Sequence, residues 1–163
     1  MYTLEALLAH HETLEPALEI FPNATLVQLP QNIGMIPVDG FLLQELEIYY
    51  QGGTKVTRPV TQNFSTSVHP DFERLILGVE RLAEHLSDRG LVAYVESTFT
   101  GGYGGHHTMI WENGKRSGKP GNDINEVLRL LKVVTHPGLD EFDTLGLGRH
   151  RSTRKWVKGR PYK

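Results

Sequence analysis

The chain has 163 residues, enough for one domain with a sizeable core, and its 39% hydrophobic and 22% charged content is that of an ordinary globular chain, not a collagen, a lone coiled coil or a disordered polymer. Cysteine is absent, which excludes disulfides, thiolate catalysis, iron–sulfur clusters and cysteine-ligated zinc. The formal charge of −2 conceals an asymmetry: residues 1–148 hold 10 basic and 19 acidic side chains (−9), whereas the last 15 residues hold 7 basic ones (Arg149, Arg151, Arg154, Lys155, Lys158, Arg160, Lys163) and no acid.

No apolar run approaches the length of a membrane span, and the start lacks the basic-then-apolar order of a signal peptide. A cytoplasmic chain that makes no membrane contact is therefore the expectation. Leu4, Leu7, Leu8 and His11 recur at helical spacing behind Thr3, so residues 1–22 read as an N-terminal helical segment in which Pro16 opens a second helix. Thr25–Leu29 and Ile33–Val38 read as short strands joined by a turn at Pro30-Gln31-Asn32, with Pro37 restricting the second to an edge or an end position. Asp39 is a good cap for a helix whose face carries Leu42, Leu43 and Leu46, and Gly52-Gly53 stops it. Residues 52–69 have no clear period. They read as an irregular loop with room for a short strand around Lys55–Thr57 or Val60–Phe64.

The strongest periodicity predicts a helix over 71–89, where Phe72, Leu75, Ile76, Val79, Leu82, Ala83 and Leu86 share one stripe between Pro70 and Gly90. Residues 91–99 and 106–112 are strand-like, so they predict an antiparallel hairpin across a flexible Thr100–Gly105 link, followed by a turn at Asn113-Gly114. Asp123 and Glu126 have capping-box spacing at the head of a last helix, 123–132, and the basic tail 149–163 closes the chain. With no repeat, low-complexity tract or domain boundary, the expected fold is a single α+β domain, residues 1–163, in which an antiparallel sheet is covered by two or three helices.

Val92-Ala-Tyr-Val-Glu96, then Phe99-x-Gly-Gly-x-Gly, then a strand ending in Trp111, resembles a family of small bacterial proteins with no established activity. Its pattern runs A-Y-V-E-x-x-[FY]-x-G-G-x-G-x-Q-x-A-x-x-W. Asn122-x-Ile124-Asn125-x-x-Leu128-Arg129, the string Asp140–His150 (D-E-F-D-x-x-G-L-G-R-H) and the L-P-Q-x-x-G-x-x-P-V core within 26–46 are similar to other parts of that family, so the resemblance spans roughly residues 25–156. The sequence departs where His107 or Thr108 stands in place of the family's Gln. Chains of this kind suggest, by analogy of class, toxin-neutralising (immunity) proteins.

Three groups of residues could carry function. The glycines at 101–105 lie between strands and lack the G-x-x-x-x-G-K-[ST] order of a phosphate loop, so they read as a wide hairpin loop needing positive φ, or as a loop bent over a ligand. Glu96 sits inside an apolar strand and must be paired (Arg129, Arg149, His106 and His107 are the candidates), functional, or on a solvated face beside Tyr94 and Thr98. His106 and His107 are adjacent on a strand and point to opposite faces, which leaves too few ligands for a metal, and no metal or other cofactor is expected.

The tail interleaves Arg149, His150, Trp156 and Tyr162 with further cations, a composition that suits nucleic acid or the chain's own acidic body. Its front reads as part of the folded domain, with Trp156 buried or clamped. The leading expectation is a protein-binding module, immunity-like, with a toxin as partner and a binding surface drawn from Glu96, Tyr103, His106, His107, Arg149, His150 and Trp156. The alternatives are a nucleic-acid-associated protein using the tail, and a small enzyme centred on Glu96 and the histidines. A homo-oligomer is compatible with each.

Overall fold

A computed structural model describes residues 1–50 and 67–157. The strands suggested near Lys55–Thr57 and Val60–Phe64, and tail residues Lys158, Arg160, Tyr162 and Lys163, lie outside the described residues. The elements are β1 (Tyr2–His10), α1 (His11–Leu14), α2 (Pro16–Ile20), β2 (Val27–Leu29), β3 (Ile33–Pro37), α3 (Gly40–Tyr50), α4 (Leu77–Leu86), β4 (Val92–Thr100), β5 (Tyr103–Glu112), β6 (Lys115–Arg116), α5 (Ile124–Leu130) and α6 (Glu141–Thr144). The strands form one antiparallel sheet of order β2-β3-β1-β4-β5-β6, so the chain is an α+β domain of the expected class.

Helices cover both faces. On one, Leu7, Ile36, Tyr94, Met109 and Trp111 pack with α3 and α4; on the other, Leu4, Ala6, Leu8, Met35 and Val95 pack with α5, Leu145, Leu147 and Trp156. Residues 2–10 are thus a central strand, not the helix that their leucine spacing predicts. A strand buried on both faces needs a continuous apolar run, and Ala6–Ala9 supplies one from residues that also favour helix; burial on both sides overrides propensity.

The long helix is shorter than its stripe. It begins at Leu77, with Ile76 extended, although Phe72 and Leu75 are buried as the periodicity predicts. Two competing sets of hydrogen bonds hold the preceding turn out of helix. The Glu96 carboxylate accepts from the amides of Glu73 and Arg74, both at 2.8 Å, and the Leu75 carbonyl accepts from the Val68 amide at 2.8 Å and the Ser67 hydroxyl at 3.1 Å. Asp39 caps α3 as expected, accepting from the Leu42 amide at 2.9 Å. Asp123 caps α5 through the Asn125 amide at 2.9 Å.

The glycine segment is a tight turn, not a wide loop. β4 and β5 pair without interruption from Val92↔Trp111 to Thr100↔Tyr103, leaving only Gly101 (φ 56°) and Gly102 (φ 85°) between them, the positive-φ pair of a type I′ hairpin. Gly104 and Gly105 therefore lie inside β5, and they differ. A Cβ on Gly104 (φ 143°) would stand 1.8 Å from the Thr98 carbonyl oxygen, whereas one on Gly105 meets nothing within 4 Å. Gly104→Ala is expected to cost about 2 kcal/mol or more, while Gly105→Ala is neutral or slightly stabilising. Urea denaturation of the two variants checks this, and equal midpoints would contradict it.

Candidate functional site

Among the described residues, the face covered by α3 and α4 loses its cover toward the hairpin tip. The paired side chains run in cross-strand rows. Leu7–Tyr94–Met109 is buried; the next row is Glu5–Glu96–His107, and beyond it Thr3–Thr98–Gly105. Thr100 and Tyr103 end the series, with Met1 one residue beyond the Tyr2↔Phe99 pair. The uncovered rows floor a cleft of about 920 Å³, walled on one side by Asp71, Glu73 and Arg74. Its depth at β5 comes from Gly105, which leaves open space where a side chain would stand. Tyr103 (84% exposed) and Met1 (75%) are the most exposed apolar side chains among the described residues; Met1 lines the cleft and Tyr103 adjoins its wall at Gly104.

Two carboxylates meet on this floor in different conditions. Glu96 is 8% exposed and accepts three hydrogen bonds at 2.8 Å, from the Glu73 and Arg74 amides and from the Tyr94 hydroxyl. None of the four cationic partners expected from the sequence pairs with it; backbone donors, which no side-chain pattern announces, satisfy it instead. Tyr94 is fully buried, and that burial, with the Glu96 and Glu5 charges, pushes its phenol well above the ordinary range, so it remains a donor.

Glu5 lies directly opposite Glu96 in the ladder, with an ion pair to Arg74 at 3.3 Å. Burial, opposed by Arg74 and reinforced by the Glu96 and Glu73 charges, pushes its carboxyl up to about 7. The sequence reading did not single out Glu5. Read as a helix, residues 1–14 place it on a wet flank; read as a strand, they make it a carboxylate inside an apolar run, the same signal that drew attention to Glu96.

The two histidines point to opposite faces, as the strand geometry requires. His107 is exposed on the cleft side, with Phe72 edge-on at 6.1 Å. The His106 ring belongs to the other face, where Phe99 and Phe142 stand 4.9 and 6.1 Å away. Its Nδ1 is 2.6 Å from the Ser97 hydroxyl, and burial holds the imidazole below the usual range despite the Asp123 and Asp140 charges. This pair has the outline of a nucleophile and base, but Ser97 is fully buried and, unlike His106, is not among the residues that line the cleft.

Of the remaining predicted residues, Tyr103 joins the cleft rim, while Arg149, His150 and Trp156 stay apart. Trp156 is buried in the core of the opposite face, with His150 edge-on at 4.6 Å and the Arg149 guanidinium 5.9 Å from its ring centroid. Among the described residues no group of three or more His, Asp or Glu is placed to hold a metal ion, and no helix is long and apolar enough to cross a membrane. No family model, curated protein or solved structure matches this chain.

The two carboxylates separate by mutation. Glu96→Gln sets an amide NH₂ against a buried N–H donor and is expected to cost about 2 kcal/mol or more. Glu5 holds its proton in the folded state between its ordinary value of 4.5 and about 7, where the unfolded chain has lost it. Its contribution to stability is therefore complete below that window and declines as pH rises through it, by roughly 2–3 kcal/mol in all. Glu5→Gln should remove this decline, leaving a variant more stable than the wild type above pH 7 by roughly that amount. Denaturation curves between pH 4.5 and 8 provide the check, and an unchanged slope in Glu5→Gln would refute the assignment.

Proposed function

We propose that the chain is a protein-binding module of the toxin-neutralising kind, and that the uncovered end of its sheet is the docking face. The observation that carries this reading is the series of open rows between helix-covered core and hairpin tip. Three paired strands hold the surface on which Thr3, Thr98, His107 and Tyr103 lie, with Met1 and Tyr103 left in water. An aromatic and a methionine beside a partly enclosed polar floor is the composition of an interaction surface. The acidic body and the resemblance of the hairpin and the D-E-F-D string to small bacterial proteins support the same reading.

For the small-enzyme alternative, Glu96 is the less suitable of the two carboxylates, because both its oxygens are occupied by fixed donors. The nucleic-acid alternative keeps one specific observation: Arg149, Arg151 and Lys155 are exposed, and among the described residues none has an ion pair with a carboxylate.

Gly105 provides the test, because a side chain there fills the cleft without straining the backbone. Wild type and Gly105→Leu would each be co-expressed with the products of neighbouring genes and purified. The wild type is expected to retain and neutralise one of them, and Gly105→Leu to lose it by at least tenfold in affinity, about 1.4 kcal/mol, with an unchanged denaturation midpoint. Capture that survives Gly105→Leu but fails in Arg151→Ala/Lys155→Ala, with a salt-steep shift of nucleic acid, would favour the tail reading instead.

A further inference from the structure

The charges around the open rows select an occupant. We infer that the docking face receives a basic segment of the partner protein, one arginine or lysine of which takes the place of the Arg74 guanidinium over Glu5. The inference rests on the protein-binding reading and names the chemistry of the partner at that same site.

Among the described residues, four carboxylates border the cleft, Glu5, Asp71, Glu73 and Glu96, against one guanidinium, that of Arg74, with Met1, His106 and His107 as the other lining residues that carry a basic group. Glu96 is saturated by its three donors and needs no cation. Glu5 is not saturated: among the described residues its one ion pair is with Arg74, whose side chain is 42% exposed while that of Glu5 is 15% exposed. An exposed guanidinium reaching down to a sunken carboxylate holds it weakly, because water screens the pair and the long side chain loses rotamer freedom. A cation delivered from a partner that covers the whole face meets the same carboxylate with water excluded, where charge-assisted hydrogen bonds are stronger. Arg74 thus marks the seat of a guanidinium and is also its displaceable competitor. The gap at Gly105 and the Thr3–Thr98 row give room for an alkyl stem, and Met1 gives it an apolar wall.

Docking of a cation is linked to the proton on Glu5. Among the described residues, the charged and titratable groups around that carboxyl are Glu96 and Tyr94 on β4, His107 on β5, and Asp71, Glu73 and Arg74 on the turn before α4, with Met1 at the start of the chain lining the same cleft; on its other edge β1 meets the neutral Thr153. With a carboxyl near 7, the ionised fraction rises about tenfold from pH 6 to pH 8, and affinity for a cation rises with it.

The probe is agmatine, a guanidinium on a four-carbon stem, titrated into the full chain and followed by amide NMR shifts. At pH 8, saturable shifts are expected at Glu5, Thr98, Gly105 and His107. Arg74→Ala should bind about threefold tighter or more because the internal competitor is gone, Glu5→Gln about tenfold weaker, and the wild type about tenfold weaker at pH 6. Absence of saturable shifts in Arg74→Ala, or equal affinity in Glu5→Gln, would overturn the inference. If Gly105→Leu loses the co-purified partner while agmatine ignores the cleft, the docking face stands and its cationic occupant fails. If partner capture survives Gly105→Leu, the docking face is not the cleft, and this inference fails with it.

Discussion

The carboxylate of Glu96 is the constraint on which the open end of the sheet depends. It sits in the middle strand of β1, β4 and β5, is almost fully buried, and converts that burial from a cost into an anchor by accepting from two consecutive amides and a phenol. A buried charge without such partners would neutralise itself or unfold its surroundings. Here the donors come from the chain segment that must cross the sheet before α4, so one side chain fixes both the path of that segment and the chemical surroundings of the strand beside it. Glu5 inherits its condition from this arrangement: Glu96 places a negative charge opposite it, and the anchored turn brings Arg74 within 3.3 Å.

The same anchor explains why the sheet is left uncovered. The apolar stripe beginning at Phe72 would extend α4 by more than a turn toward the hairpin tip. With the Glu73 and Arg74 amides and the Leu75 carbonyl committed elsewhere, the helix starts at Leu77, and Phe72 reaches the core from a non-helical turn, packing 5.8 Å from Tyr94. Cover therefore ends at the Glu5–Glu96–His107 row. On the other face at this end, Tyr2, Phe99, His106 and Phe142 pack as an aromatic cluster. Among the described residues one face is lined by rings and the other is opened by a hydrogen-bonded turn.

What could be read from the residues follows from how local each signal is. The class of fold, the capped α3 and α5, and the hairpin of β4 and β5 rest on caps, alternation and turn residues, all within a few positions of one another. The central strand β1 was illegible because Leu4–Ala9 satisfies a helical period as well as a two-faced strand, and only the helices on both sides of the sheet decide between them. The late start of α4 and the satisfaction of Glu96 depend on contacts 22 and 23 residues apart, made by backbone groups that every residue possesses. Glu5 was lost with β1: a carboxylate within an apolar run is conspicuous only once the run is known to be a strand. In the glycine segment the sequence does show a turn, but not that Gly101-Gly102 makes it, Gly104 permits the strands to approach, and Gly105 empties the cleft.

The charge asymmetry takes a spatial form. The front of the basic tail is a strap along the edge of β1 that β3 leaves free: the Thr3 amide donates to the Arg151 carbonyl, the Glu5 amide donates to the Thr153 hydroxyl, and Trp156 drives into the core of the face opposite the cleft. The backbone of residues 3–5 is thereby held by the tail while their Thr3 and Glu5 side chains floor the cleft. Within the described residues, the tail secures the acidic surface mechanically, without neutralising it through ion pairs of Arg149, Arg151 or Lys155.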